Sequence, residues 1–270
     1  MLYFYYMSYL MVDGITIFGF EIKFYGMIIA FAILIGIFLS QHLAKKRGLN
    51  PDDIIILAIL IIPFAILGAR IYYCIFSDVS YTFKTFWDIR SGGLAIYGGV
   101  IGGIIAIIIF AMFKRDFKLI IKLFDVIAPA LILGQALGRW GNFFNQEAYG
   151  NLVTDPDWQW FPFAVKIDAF PQDEWHLATF FYESVWNIIG FILIMIVFNK
   201  NKQLGTTTGF YLAYYGLGRL WIEGLRTDSL YIGNIRVSQL ISAIMIVIGI
   251  SILVYNYIKK RKGERYEQKE

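Results

Sequence analysis

Seven stretches of mostly apolar residues divide this chain, near residues 24–43, 53–74, 93–113, 119–138, 178–198, 207–223 and 237–258. A hydrocarbon layer about 30 Å thick is crossed by roughly 20 helical residues. Because that layer offers no water, each crossing segment must satisfy its own backbone hydrogen bonds, which a helix does. The windows therefore predict an all-α, polytopic integral membrane protein, a bundle of seven transmembrane helices. Composition agrees, with 58% hydrophobic and only 16% charged residues, against about a quarter charged in an ordinary soluble domain. The net charge of +4 is spread too thinly to suggest nucleic acid as a partner. A single cysteine, Cys74, excludes an internal disulfide and a cysteine-based metal cluster. Residues 1–10 hold no Lys or Arg ahead of their apolar side chains, unlike a cleaved signal peptide. Nothing suggests a second globular domain, so residues 1–270 are expected to form one transmembrane domain with an outer loop at 139–177.

Orientation follows from the basic residues, since short cytoplasmic loops collect Lys and Arg. Lys45, Lys46 and Arg47 follow the first window; Lys114, Arg115, Lys118 and Lys122 lie between the third and fourth; Lys200 and Lys202 separate the fifth and sixth; and Lys259 to Lys262 follow the seventh. These clusters and the rest of the tail hold most of the 24 Lys and Arg, and all fall on one side. The N-terminus is accordingly expected outside and the C-terminus in the cytoplasm.

A charge in the hydrocarbon region costs at least about 2.5–3.5 kcal/mol, so an ionisable residue there needs a partner or a function. Arg70, Arg139, Arg219 and Arg226 all fall near the outer ends of windows. Guanidinium groups bind phosphate bidentately and stay charged when half-buried, which points to an anionic lipid headgroup; snorkelling to the interface is the plainer alternative. In the sixth window Tyr215, Arg219, Glu223 and Arg226 fall within roughly 80° of arc at about 100° per residue. That polar stripe faces protein or a water-filled cavity rather than lipid. In Gly134–Gly150, Arg139 stands beside Asn142, Asn145 and Glu147 at a membrane edge. The two amides can donate to phosphate or glycerol oxygens while Glu147 orients Arg139. Between Arg90 and Gly103 six glycines flank Tyr97, serving either close helix packing or space for a bulky substrate beside the phenol.

On these motifs the chain resembles the prolipoprotein diacylglyceryl transferase family. The family's GRxGNFxNxExxG signature stands at Gly138–Gly150, its YGxxRxxxExxR pattern at Tyr215–Arg226, and GAR at 68–70 and GGLAIYGG at 92–99 accompany them. The resemblance implies a bacterial plasma (inner) membrane enzyme with its active site toward the outer face. Such an enzyme moves diacylglyceryl from phosphatidylglycerol to the lipobox cysteine thiol of a prolipoprotein signal peptide and releases glycerol 1-phosphate. It implies no cofactor and no metal. Carried over by position, Arg139 matches the family's phosphatidylglycerol-binding arginine and Tyr215 and Arg219 its essential Tyr and Arg; Tyr97 is expected to be catalytic beside Tyr215 and Arg219. Arg139, Asn142, Asn145, Glu147, Arg70, Glu223 and Arg226 are expected to bind phosphatidylglycerol. Two departures stand out: Tyr97 occupies a place where many members have His, and the family's His-Pro is replaced by Leu177-Ala178, with His176 one residue upstream as a possible base. A transporter or flippase for an anionic lipid or solute, with an arginine site but no chemistry, is the alternative.

Overall fold

The computed structural model describes residues 14–77, 81–88, 92–167 and 174–267. In chain order these form β1 (Gly14–Ile17), β2 (Phe20–Lys23), α1 (Phe24–Lys46), α2 (Pro51–Phe76), α3 (Phe83–Phe86), α4 (Ile96–Phe113) and α5 (Lys118–Phe144). There follow β3 (Ala164–Ile167), β4 (Glu174–Leu177), α6 (Thr179–Lys200), α7 (Thr206–Ile222), β5 (Tyr231–Ile232), β6 (Ile235–Arg236) and α8 (Val237–Glu267). Six helices, α1, α2, α4, α5, α6 and α8, are long and apolar enough to cross a membrane. Helix α7, at 17 residues, is shorter. Their outward faces carry Phe38, Ile59 and Val247 at 69%, 66% and 65% exposure, which water would penalise and lipid does not.

Each expected window holds a helix, with two amendments. Three antiparallel ribbons, β1–β2, β3–β4 and β5–β6, occupy connections that an all-α reading leaves as loops. Helix α5 also continues past residue 138 to Phe144, so Arg139 and Asn142 lie on a helix rather than in the outer loop. Within this extension Gly141 leaves room for Tyr25, since a Cβ there would stand 2.7 Å from the ring. The N-terminal residues and the 168–173 part of the outer loop lie outside the described residues.

The chain folds into two compact units, Ile37–Val126 and the described parts of Met1–Gly36 with Ile127–Glu270. In the first, α2 and α4 pack through glycine. A Cβ on Gly98 would collide with the Gly68 carbonyl, and one on Gly102 with the carbonyl of Phe64. Small residues let helix backbones approach where no hydrophobic effect drives association, so these two glycines serve packing. Asp125, 2% exposed, is tolerated in α5 within reach of the Arg47 charge. In the second unit α7 packs on α8, where a Cβ on Gly249 would stand 2.6 Å from the Ala213 nitrogen. Helices α6 and α7 interlock through Trp186 and Tyr214, whose rings stack at 4.8 Å; the Tyr214 hydroxyl donates to the Trp186 carbonyl at 3.0 Å. The β3–β4 ribbon gains a third, irregular strand, since Gly150 N donates to Leu177 O at 2.9 Å and Val153 N to Trp175 O at 2.7 Å.

The glycine contacts differ sharply in tolerance. Gly98→Val is expected to destabilise the protein by about 1–3 kcal/mol through overpacking against backbone. Gly103→Ala, whose Cβ would meet only Ile61 Cγ2 at 3.8 Å, is expected to be neutral. Thermal unfolding of the two variants in detergent micelles checks the contrast.

Candidate active site

Helices α5, α6 and α7, with the turn after α7, bring five ionisable side chains to one place. Glu183, in the first turns of α6 and 2% exposed, accepts from Arg139 Nη2 on Oε1 at 2.7 Å and from Arg219 Nη1 on Oε2 at 2.8 Å. Arg219 Nη2 pairs with Glu223 Oε2 at 2.6 Å. The Tyr215 hydroxyl reaches Glu183 Oε1 at 3.5 Å. Neighbouring contacts fix the helices that hold these groups: Trp140 Nε1 donates to Ser184 Oγ at 3.2 Å, and Ser184 Oγ to the Ala136 carbonyl at 2.9 Å. Gly218, one residue before Arg219, packs against the Trp186 indole with no room for a Cβ.

The signature segment extends this cluster. Arg139 Nη1 donates to Asn142 Oδ1 at 3.2 Å, and Asn142 and Asn145 donate to Glu147 Oε1 at 2.8 and 3.2 Å. Glu147 thus holds the two asparagines, whereas Arg139 is oriented by Glu183, which corrects the expected Glu147–Arg139 pairing. The turn that allows this ends α5 with Gln146 and Ala148 at φ 50° and 59°. Asn142, Glu147, Tyr149, Lys166 and Phe180 line an open recess beside the cluster.

The remaining expected residues have partners of their own, and the charge of Arg226 also acts on Glu183. Arg70, 3% exposed, spends all five guanidinium N–H groups on backbone carbonyls: Thr85, Phe86, Asp88, Gly92 and Gly93, at 2.6–3.3 Å. A guanidinium saturated in this way has no donor left for a phosphate; it anchors the loop ahead of α4 instead. Tyr97 lies in the first turn of α4 beside Tyr72, ring centroids 6.3 Å apart. Arg226 grips Asp228 with two hydrogen bonds, at 3.0 and 2.8 Å. His176, on β4 and 6% exposed, engages Gly150 O through Nδ1 at 2.8 Å and Glu174 Oε2 through Nε2 at 3.1 Å. As a base it would have to give up one of these partners. The residue that sequence reasoning left out of the site is Glu183. Its signal is an acidic residue within the first turns of an apolar helix, where an ion needs a partner. No group of three or more His, Cys, Asp or Glu suited to a metal ion occurs among the described residues.

A helical, membrane-spanning scaffold built around a buried arginine–carboxylate cluster defines the class: a polytopic membrane protein with an ionic centre inside its bundle. The family model described as Prolipoprotein diacylglyceryl transferase matches residues 14–255, and the chain belongs to that family. It is 46% identical over 254 residues to phosphatidylglycerol–prolipoprotein diacylglyceryl transferase 1 of Clostridium perfringens, covering 91% of this chain and 95% of the relative. It is 43% identical over 252 residues to the transferase of Clostridium kluyveri, covering 92% and 96%. The Trichormus variabilis transferase is 44% identical over 253 residues, covering 89% and 87%.

Removing one partner of a buried ion pair strands the other charge and costs about 3–5 kcal/mol. Glu183→Ala is therefore expected to lower stability by about that much. Combining it with Arg219→Ala is expected to cost less than the sum of the single changes, because the two side chains share one interaction; a double-mutant cycle of unfolding free energies checks this. At the 226–228 clasp, burial pushes the Asp228 carboxyl up, but the hydrogen bonds and charge of Arg226 outweigh it and hold the group below its ordinary value. A carboxyl depressed in the folded state contributes stability above its unfolded value of about 3.9 and loses it as pH falls through the lower folded value. Stability measured across that acid range is expected to fall less steeply in Arg226→Ala.

Proposed function

We propose that this chain transfers the diacylglyceryl group of phosphatidylglycerol to the lipobox cysteine thiol of a prolipoprotein and releases glycerol 1-phosphate. The observation that carries the reading is the pair of guanidiniums, Arg139 and Arg219, closing on one carboxylate at 2.7 and 2.8 Å. Two forks aimed at a single anion suit a phosphodiester as well as a carboxylate. Family membership and relatives whose names state this reaction support it.

The reaction forms one bond and breaks one. The thiolate sulfur attacks the glyceryl carbon that carries the phosphate, a carbon–sulfur bond forms, the carbon–oxygen bond breaks, and the electron pair leaves on glycerol 1-phosphate. The thiol, with a reference pKa near 8.5, must first lose its proton. The positive field of Arg139 and Arg219 favours thiolate over thiol and neutralises the leaving phosphate as charge develops. Tyr215, within reach of both arginines' shared carboxylate, is the phenol best placed to relay the proton. Asn142, Asn145 and Glu147 form the polar edge that meets the glycerol headgroup, and Glu223 holds the far side of Arg219. No cofactor or metal enters this scheme.

We read seven crossings, α7 being the sixth, with the N-terminus outside, the C-terminus in the cytoplasm and the site toward the outer face of a bacterial plasma membrane. Lys45 and Lys46 at the end of α1, Lys114 after α4, Lys200 at the end of α6 and Lys259 to Lys262 in α8 support this orientation.

Purified protein in phosphatidylglycerol liposomes is expected to add a diacylglyceryl mass to a lipobox peptide, but not to its Cys→Ser counterpart, in a mass spectrum. Headgroup release or lipid translocation without a mass gain overturns the reading. In the same assay Arg139→Lys is expected to lose at least about a hundredfold in rate, because a point charge cannot hold Glu183 and Asn142 together.

A further inference from the structure

One helical turn from the ionic cluster, each of the three helices that build it carries an uncharged polar residue. These are Gln135 on α5, four before Arg139; Asn187 on α6, four after Glu183; and Tyr211 on α7, four before Tyr215. Contacts on either side show that they share a level. Along α5 and α6, Arg139 meets Glu183, Ala136 meets Ser184, and a Cβ on Gly190 would stand 2.6 Å from Ile132. Asn187 lies between Ser184 and Gly190 and is thereby level with Gln135. Along α7, Tyr215 meets Glu183 while Tyr214 packs on Trp186 and Gly190, which brings Tyr211 to the same height. At about 1.5 Å per residue, this layer stands roughly 6 Å from the charged one, further from the helix ends at which Arg139 and Glu183 sit.

The layer is unfinished as a hydrogen-bonded network. Gln135 Nε2 donates to the Tyr211 hydroxyl at 3.0 Å, and the Tyr211 and Tyr215 rings stack at 5.7 Å. Asn187 is fully buried, yet neither its Nδ2 nor its Oδ1 has a hydrogen-bond partner among the described residues, and neither does Gln135 Oε1. Buried amides without partners are costly in any protein interior. Turned end for end, the Gln135 amide accepts from the Tyr211 hydroxyl and frees its NH2, so both carboxamides can offer donors to one ligand.

We propose that Asn187 and Gln135 form a second binding layer that donates hydrogen bonds to the acyl ester carbonyls of the donor phospholipid while Arg139 and Arg219 hold its phosphate. The inference rests on the transfer reaction proposed above. In a diacyl phospholipid the ester carbonyls stand a few bonds from the phosphorus, on the same glycerol and deeper in the bilayer, as the carboxamides stand relative to the arginines. Two carboxamides match two esters, and the pair of layers recognises an intact diacylglyceryl phosphate rather than a phosphate alone.

The test compares phosphatidylglycerol with its diether analogue of the same chains, which lacks both carbonyls but keeps the carbon–oxygen bond to be broken. Full-length protein in liposomes of either lipid is assayed by thioether formation on a lipobox peptide. Wild type is expected to favour the diester by about five- to tenfold in kcat/KM, and in Asn187→Leu the preference is expected to fall toward one. Because the ratio is taken within one preparation, partial loss of folded protein cancels, and Gln135→Leu provides a second variant. Equal rates for the two lipids in wild type, or an undiminished preference in both variants, overturns the ester layer while transfer itself stands. No thioether from either lipid overturns the transferase reading and the ester layer with it.

Discussion

Glu183 sits where an unpaired carboxylate would be least tolerated, inside a bundle whose surroundings cannot solvate it, and two guanidiniums answer it at hydrogen-bond distance. Each of the three charges is affordable only because the others are present. That mutual need sets where α5, α6 and α7 meet. It explains why the neighbouring contacts are so exacting: Ser184 against the Ala136 carbonyl, Gly218 against Trp186, Gly190 against Tyr214. Shift α6 by one residue and Glu183 leaves both arginines at once. In the transfer reaction proposed here the same arrangement serves an anionic substrate, because the guanidiniums are already oriented and already desolvated when the phosphate arrives.

Three similar short pieces, Leu67-Gly68-Ala69-Arg70, Leu137-Gly138-Arg139 and Leu217-Gly218-Arg219, show how like local sequence serves different ends. At 217–219 the glycine admits Trp186 and the arginine reaches Glu183. At 137–139 the glycine lies beside Ile29, with ordinary contact distance to spare, and the arginine bridges α5 to α6. At 67–70 the glycine packs on α4 and the arginine is absorbed by the carbonyls of Thr85 to Gly93. An arginine surrounded by carbonyls clasps a loop, and one that shares a carboxylate with another arginine ties helices together. The difference lies wholly in what the fold puts opposite the side chain.

Much of the architecture was legible in the chain itself. The apolar windows located the six long helices and the shorter α7 of the described residues, though α5 and α8 run on past their windows to Phe144 and Glu267, because the length needed to cross a bilayer and the demand that backbone groups bond internally leave little choice. The grouping of Tyr215 with Arg219 and of Arg139 with Asn142 could be drawn from helical periodicity alone, but the expected arc does not reach Arg226, because α7 ends at Ile222 and Arg226 is extended. Glu183 was missed as the centre because its partners are 44 and 36 residues away in the chain, and no local pattern links them. The ribbons at 14–23, 164–177 and 231–236 escaped notice because their strands are only two to four residues long, too short for alternation to register.

The sequence by itself determined that this chain lives in a membrane, where its helices run, and which polar residues demand an explanation, since burying a charge in hydrocarbon has a cost that no context removes. Tertiary structure alone decided which of those residues work together. It joined Arg139 and Arg219 through Glu183, withdrew Arg70 into a loop, gave Glu147 to the asparagines rather than to Arg139, and set Asn187 level with Gln135. A guanidinium is equally ready to bind a carbonyl, a carboxylate or a phosphate, and only the helix packed against it determines which it meets.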